Sequence, residues 1–252
     1  MRGDTEMDIL VDAVLETNGA GYLLYAANYP GAYVRGTSQE EAERKWPAEM
    51  AAYLRWRDGE AQAGLAGPAG LAVRAQVVQV KRDELHVEDA DSDVLFDSER
   101  GTMERSEYER LRALCLRSAA DFLALYESMP DKDRALGPPR ESFYGPVPRT
   151  AEEMYQHTKN VNSYYFGEIG VEADNGPDIL RCREEGFRRL ERQAGFLDNP
   201  VLSGSYDELW SLRKVLRRFL WHDRIHARAM TRRGVEVWGR TGIADPFRFG
   251  VE

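Results

Sequence analysis

Three of the four histidines in this 252-residue chain are spaced so that they could bind one metal ion. His222 and His226 are four residues apart in a segment with a helical pattern, so both point from one face of the helix. The same face carries Val215 and Phe219, which predicts that the histidine pair faces the protein interior. Interior imidazoles need partners, and neutral nitrogens at this spacing can share one divalent ion.

His157 is the candidate third ligand. It lies in another helical pattern, one turn from Met154 and one turn from Val161, beside the apolar stripe of that helix. Three protein ligands leave one coordination position open, which is typical of catalytic zinc sites. Because a single H-x-x-x-H pattern also occurs by chance, the spacing alone leaves a purely structural role open. The fourth histidine, His86, lies in an acidic stretch and is predicted to be a surface residue.

Three further side chains could orient a metal ligand or exchange a proton near it: Asn160, Tyr164 and Asp223. The first two follow His157 by three and seven residues and share its side of the helix. Asp223 is adjacent to His222 in sequence, so it points about 100° away from it. For Asp223 a salt bridge with an arginine of the same helix is the favoured interpretation, and contact with another histidine stays open.

The segments around the three histidines resemble the DinB family of bacterial metal-binding helical bundles. Residues 148–157, PRTAEEMYQH, are similar to the family segment that leads into its first ligand. Residues 221–228, WHDRIHAR, are similar to the segment that carries the ligand pair, and the helical pattern over 110–130 also fits. The resemblance covers about half of the chain.

This resemblance implies a four-helix bundle that holds zinc or nickel on His157, His222 and His226, with water completing the coordination shell. It also implies a homodimer and, for some relatives, transferase or isomerase chemistry that uses a low-molecular-weight thiol. We therefore expect a metal-dependent enzyme, of the thiol-dependent transferase or hydrolase type, that acts on a small-molecule substrate. The alternative is a non-catalytic, metal-stabilised interaction or regulatory module.

A change in pattern near residue 100 predicts an α+β fold with two domains, 1–100 and 101–252, because strand signals precede it and helical periodicity follows. The first domain is predicted to be a ββαββ-type unit. Its expected elements are strands at 22–27, 32–35, 71–80 and 85–96, and a helix that begins after the capping residues 37–41. Residues 22–56 resemble the small HicB-like domain of antitoxins, which makes an antitoxin-like regulator a third hypothesis.

Four helical patterns in the second half predict a four-helix domain. Capping-box pairs predict where three of them begin: Ser106/Glu109, Thr150/Glu153 and Ser205/Glu208. Pro177 is predicted as the first residue of the third helix, and Gly234 as the residue after the end of the fourth.

The predicted helix bounds conflict with a shared metal site in one respect. His157 lies about two turns into its helix, whereas His222 and His226 lie about five turns into theirs. In a plain up-down-up-down bundle the second and fourth helices are parallel, so the ligands would lie at different heights. The long connection over 130–149, with five prolines, leaves room for another helix order.

The net charge of −9 argues against direct nucleic-acid binding by phosphate neutralisation. The basic run 213–218 is predicted to be a solvated helix face. The two cysteines, Cys115 and Cys182, make no disulfide framework and are expected to pack as small apolar residues. Without a signal peptide or a membrane-spanning stretch in the sequence, a cytoplasmic location without membrane attachment is expected.

Overall fold

The computed structural model describes residues 9–59 and 73–250. This part of the chain contains a four-stranded N-terminal sheet and five α-helices, so the fold class is mixed α+β, as predicted. The chain divides into two compact units. The unit that we call the sheet unit runs as far as Val94 and includes Arg248–Gly250, and the helical unit comprises Leu95–Phe247.

The sheet unit is built from strands β1 (Ile9–Thr17), β2 (Tyr22–Ala26), β3 (Tyr33–Gly36) and β4 (Val73–Arg82) and from helix α1 (Gln39–Asp58). The strand order is β3-β2-β1-β4, in which β1 pairs antiparallel with β2 and parallel with β4. The Ser38 hydroxyl caps α1 by accepting a hydrogen bond from the Glu41 amide, and α1 packs on the sheet. The predicted strands at 22–27 and 32–35 and the predicted helix are confirmed.

One strand of this unit was not predicted, and one predicted strand is wrong. No strand was predicted over Ile9–Thr17, yet β1 is a central strand of the sheet. The segment 85–96 was predicted as a strand but forms a short 3₁₀ turn at Val87–Asp89. Its backbone amides at 89–91 donate to carbonyls at 86 and 87, so they are not available to a neighbouring strand. The observed order is therefore βββαβ rather than ββαββ.

The helical unit contains α2 (Arg105–Glu127), α3 (Ala151–Gly167), α4 (Ile179–Leu190) and α5 (Leu212–Trp238). Helices α4 and α5 each contact both α2 and α3. The capping box predicted for α3 is confirmed, because Thr150 caps the Glu153 amide while the Glu153 carboxylate accepts from the Thr150 amide. The N-cap of α4 is Asp178, so Pro177 lies outside the helix rather than at its first position.

Three other predicted helix ends are wrong. Helix α2 begins at Arg105, so Ser106 lies inside it and caps nothing. Helix α5 begins at Leu212 with Ser211 as its cap, because the segment around Ser205 forms a hairpin between β7 (Leu202–Ser203) and β8 (Leu209–Trp210). Gly234 lies inside α5, where an added Cβ atom would be 2.9 Å from Ile243 Cδ1 and 3.3 Å from the Met129 side chain, and the helix continues to Trp238.

The contacts between α3 and α5 show that the two helices are antiparallel. His157, in the first half of α3, packs on His226, whereas Tyr165, at the end of α3, packs on Phe219. Because α5 begins at Leu212, His222 lies about three turns from its start rather than five. The antiparallel direction of α3 and α5 and the later start of α5 together bring the three histidines to the same level along the helix axes.

Two other helix pairs are parallel. The ion pair between Glu107 and Arg213 joins the starts of α2 and α5, and Phe166 and Phe187 pack together near the ends of α3 and α4. Consequently α2 is parallel to α5, and α3 is parallel to α4. The connection between α2 and α3 contains a two-stranded hairpin, β5 (Glu141–Ser142) and β6 (Gly145–Pro146).

Among the described residues, every helix is too short or too polar to cross a membrane.

Candidate metal centre

The three predicted ligands, His157, His222 and His226, lie together between α3 and α5. The ring centroids are 5.1 Å apart for His157 and His222, 4.6 Å for His157 and His226, and 4.5 Å for His222 and His226. One nitrogen can be chosen from each ring so that all three lie within 4.8 Å of one another. Three imidazole nitrogens at this spacing could bind a single metal ion.

The helices position these rings in different environments. His222 is buried, with 7% of its surface exposed, whereas His157 and His226 are half-buried. On the buried side, the edge of the Tyr165 ring packs against His222, with centroids 6.1 Å apart and planes at 87°. The site therefore has a closed side at His222 and a more accessible side at the other two histidines.

Burial keeps these imidazoles neutral. Loss of solvation lowers the pKa of His157 and lowers the pKa of His226 to about 3, where His157 adds a smaller repulsion. The pKa of His222 is lowered well below its ordinary value, first by burial and then by the two neighbouring histidines. A neutral imidazole has a lone pair available for a metal, so all three side chains are in the required protonation state at pH 7.

His222 also has a buried nitrogen without a hydrogen-bond partner. Its Nδ1 atom has no partner among the described residues. Leaving a buried polar atom unpaired costs free energy, on the order of 1–3 kcal/mol. A bound cation near the three rings would offset part of this cost, so the residues present fit a metal ion.

No fourth histidine, cysteine or carboxylate joins this cluster in the part of the chain that the structure describes. The two cysteines are buried elsewhere, where Cys115 Sγ donates to the Leu216 carbonyl and Cys182 Sγ to the Ile179 carbonyl. Burial raises the pKa of the Cys182 thiol to about 11 and raises that of Cys115 further. Neither cysteine is a thiolate ligand, and a metal held here keeps an open coordination position.

None of the three candidate neighbours of the ligands makes a described contact with the imidazoles. Asn160 is exposed and makes no described contact with a histidine. Tyr164 is half-buried, and its ring packs on Tyr165 and Trp210. Asp223 is fully buried and accepts two hydrogen bonds from Arg183 of α4, a partner on another helix, whereas an arginine of its own helix was predicted.

Two aromatic residues that contact the ligands were not singled out from the sequence as site residues. Tyr165 belongs to the apolar stripe predicted for α3, so its interior position was foreseen but its contact with His222 was not. Tyr144 lies in the turn of the β5–β6 hairpin and stacks on His157, with centroids 5.5 Å apart and planes at 26°. No periodicity marks a residue in such a loop, so only the folded structure identifies it.

His86 is exposed, as predicted, with 61% of its side chain accessible and the Glu88 carboxylate 3.6 Å away.

A second group of potential ligands, Glu16, Asp83 and Asp93, lies in the sheet unit. The Lys81 ammonium group already contacts both aspartates. Glu16 accepts hydrogen bonds from the Tyr25 hydroxyl and from two backbone amides. Because these carboxylates already have a cation and donors of their own, we assign no metal site to them.

Comparisons of the chain with protein-family models, with curated proteins and with solved structures give no match.

Proposed function

We propose that the helical unit is a DinB-like four-helix bundle that binds one divalent ion, zinc or nickel, through His157, His222 and His226. We further propose that the protein is a metal-dependent enzyme of the thiol-dependent transferase or hydrolase type. The observation that carries the proposal is the convergence of three neutral imidazoles between two antiparallel helices. The sequence segments that resemble the DinB family support it independently.

The donor set favours these metals. Imidazole nitrogen suits zinc and nickel, whereas calcium and magnesium prefer oxygen ligands. A divalent ion at this site would supply Lewis-acid chemistry to a small molecule or a thiol. The protein supplies no thiolate, because both cysteines are buried and protonated. A thiol that takes part in the reaction therefore comes from solution as a separate small molecule.

The surrounding residues define how a substrate reaches the site. Apolar and aromatic side chains behind His222, among them Tyr165 and Phe219, exclude water from that side. The half-buried rings of His157 and His226 form the accessible side, so a small molecule approaches there. The sheet unit would then serve as an interaction or dimerisation domain, as its HicB-like segment suggests.

Metal analysis of the purified protein tests the site itself. We expect about one zinc or nickel ion per chain, lost in His222→Ala because a tridentate site becomes bidentate. His86→Ala is the matched control, since this exposed histidine lies in the other unit and its variant should keep the ion. Full metal content in His222→Ala would show that the proposed site is wrong.

An activity assay tests the enzyme. The metal-loaded protein is incubated with a low-molecular-weight thiol and a panel of electrophiles, and the loss of free thiol is followed over time. We expect turnover that stops after chelation and in His222→Ala. A protein that retains its metal but turns over no member of a broad panel would support the alternative, a non-catalytic metal-stabilised module.

A further inference from the structure

The β5–β6 hairpin places two aromatic rings at the accessible side of the three histidines. Tyr144 stacks on His157, and Phe143 packs edge-on against Tyr144, with centroids 5.0 Å apart and planes at 90°. Phe143 and Tyr144 remain 47% and 44% exposed. Contact of aromatic rings with water is unfavourable, so two half-exposed rings beside a polar cluster mark a candidate functional feature.

Hydrogen bonds hold this hairpin in place. The Ser142 hydroxyl donates to the Gly145 carbonyl at 3.2 Å, and Gly145 has a φ of 103°, which favours glycine at this turn. At the base, the Val147 amide donates to the Arg140 carbonyl at 2.9 Å. These hydrogen bonds lie within the hairpin itself, so the turn that carries Tyr144 has support besides the stacking contact.

Among the described residues, the histidine rings have no hydrogen bond of the kind that usually orients a metal ligand. A ligating imidazole normally donates its second N–H to a carboxylate or a carbonyl, which fixes the plane of the ring. His222 Nδ1 is buried without a hydrogen-bond partner among the described residues, and no described hydrogen bond joins the ring of His157 or His226 to a neighbouring group. Ring packing remains as the means of orientation, and for His157 the stacked partner from outside the cluster is Tyr144.

We propose that Tyr144 is a positioning residue that fixes the ring plane of His157 by stacking, so that one imidazole nitrogen faces His222 and His226. This inference rests on the proposed metal site. Rotation of the His157 ring about its side-chain bonds would turn that nitrogen away from the other two. The aromatic face, not the phenol hydroxyl, carries the effect, because the described structure gives the hydroxyl no hydrogen bond.

The test compares Co²⁺ and Zn²⁺ affinity in four proteins: wild type, Tyr144→Ala, Tyr144→Phe and Phe143→Ala. Replacing a residue that orients a metal ligand typically weakens metal affinity by roughly 10–100-fold. We expect about tenfold weaker binding in Tyr144→Ala. Tyr144→Phe keeps the ring and should bind as wild type does. Phe143→Ala removes a similarly exposed ring whose described ring contact is with Tyr144 rather than with a histidine, so its affinity should change little.

The visible spectrum of bound Co²⁺ adds a readout that a general loss of stability would not move. We expect altered ligand-field bands in Tyr144→Ala and unchanged bands in Tyr144→Phe, because only the former frees the His157 ring. Equal affinity and equal spectra in wild type and Tyr144→Ala would overturn the positioning role. Weak binding in Tyr144→Phe would overturn it too, since the hydroxyl would then carry the effect.

The wild-type titration separates this inference from the proposed function. If wild-type protein binds neither ion, the metal site itself fails, and the role of Tyr144 fails with it. If wild type and His86→Ala bind one ion and His222→Ala does not, the site stands, and the Tyr144 variants alone decide the inference. Because Tyr144 is nearly half exposed, its replacement should leave the fold intact, which circular dichroism verifies.

Discussion

Arg183 of α4 and Asp223 of α5 form an ion pair that is closed to water, one residue away from His222. Neither side chain has exposed surface, and two guanidinium nitrogens donate to the two carboxylate oxygens at 2.5 and 3.0 Å. The guanidinium also lies 4.2 Å from the centre of the Phe219 ring. Asp223 therefore fixes α5 against α4. His222, the preceding residue, points in a different direction from the same helix, toward α3.

Arg183→Met is expected to lower the free energy of unfolding by about 3–5 kcal/mol, because it leaves the Asp223 carboxylate buried without its cation. Urea denaturation measures the loss. Arg188→Met is the matched control on the same helix. Its ion pair with Glu185 is exposed, so the change should stay below about 1 kcal/mol. Similar losses in the two variants would show that the buried pair has no special role.

Gly186 of α4 lies against the Phe166 ring, and a Cβ atom at this position would overlap the ring. Gly186→Ala should therefore destabilise the protein by about 1–3 kcal/mol, although alanine is the better helix former by about 1 kcal/mol. Gly167→Ala is the control at the end of α3, where nothing lies within 4 Å of the added atom. We expect it to be neutral or stabilising in thermal unfolding, and a loss equal to that of Gly186→Ala would contradict the packing argument.

Local patterns predicted part of the site well. His222 and His226 share a face because four residues span about one turn of any α-helix, whatever surrounds it. The Thr150–Glu153 cap was predicted for the same reason, since both partners lie within one turn. The contact of His157 with the pair depends on the antiparallel packing of α3 and α5. Spacing within one helix carries no information about that direction.

Other features depended on contacts between distant residues. Strand β1 contains Glu16, whose charge suggests a surface residue. Glu16 is nevertheless buried, and the amides at 93 and 94 donate hydrogen bonds to its carboxylate. The Ser205–Glu208 pair has capping-box spacing, yet Tyr206 and Asp207 adopt φ values of 60° and 57° and close a hairpin. Strand pairing over β7 and β8 outweighs the local capping preference there.

The two competing starts of α5 give a direct test. Ser211 caps the helix through the Lys214 amide, and its hydroxyl donates to the Glu99 carbonyl at 3.0 Å. Ser211→Ala should cost about 1–2 kcal/mol in urea denaturation, because a helix amide loses its cap and the buried Glu99 carbonyl keeps only Asn199 as a donor. Ser205→Ala should change stability by less than about 0.5 kcal/mol. A larger loss at Ser205 would favour the helix start predicted from the sequence.

The stability of the metal-free protein should fall as the pH is lowered below about 6.5. In the unfolded chain a histidine has a pKa near 6.5, whereas in the folded protein burial lowers the pKa of His226 to about 3 and that of His222 in the same direction. Between these values the unfolded state binds more protons, so protonation draws the equilibrium toward unfolding. The stability that the neutral, buried imidazoles contribute is fully present above pH 6.5. It is lost as the pH falls toward their pKa in the folded protein.

Urea denaturation with a chelator at pH 7.5 and pH 5.5 measures this effect, above the range where most carboxylates titrate. We expect a loss on the order of 1 kcal/mol for each buried imidazole. The difference between the two pH values should shrink in His226→Gln, which has no group that titrates there. It should persist in His86→Gln, because His86 is exposed. A pH dependence that is equal in both variants would place its origin outside the three-histidine cluster.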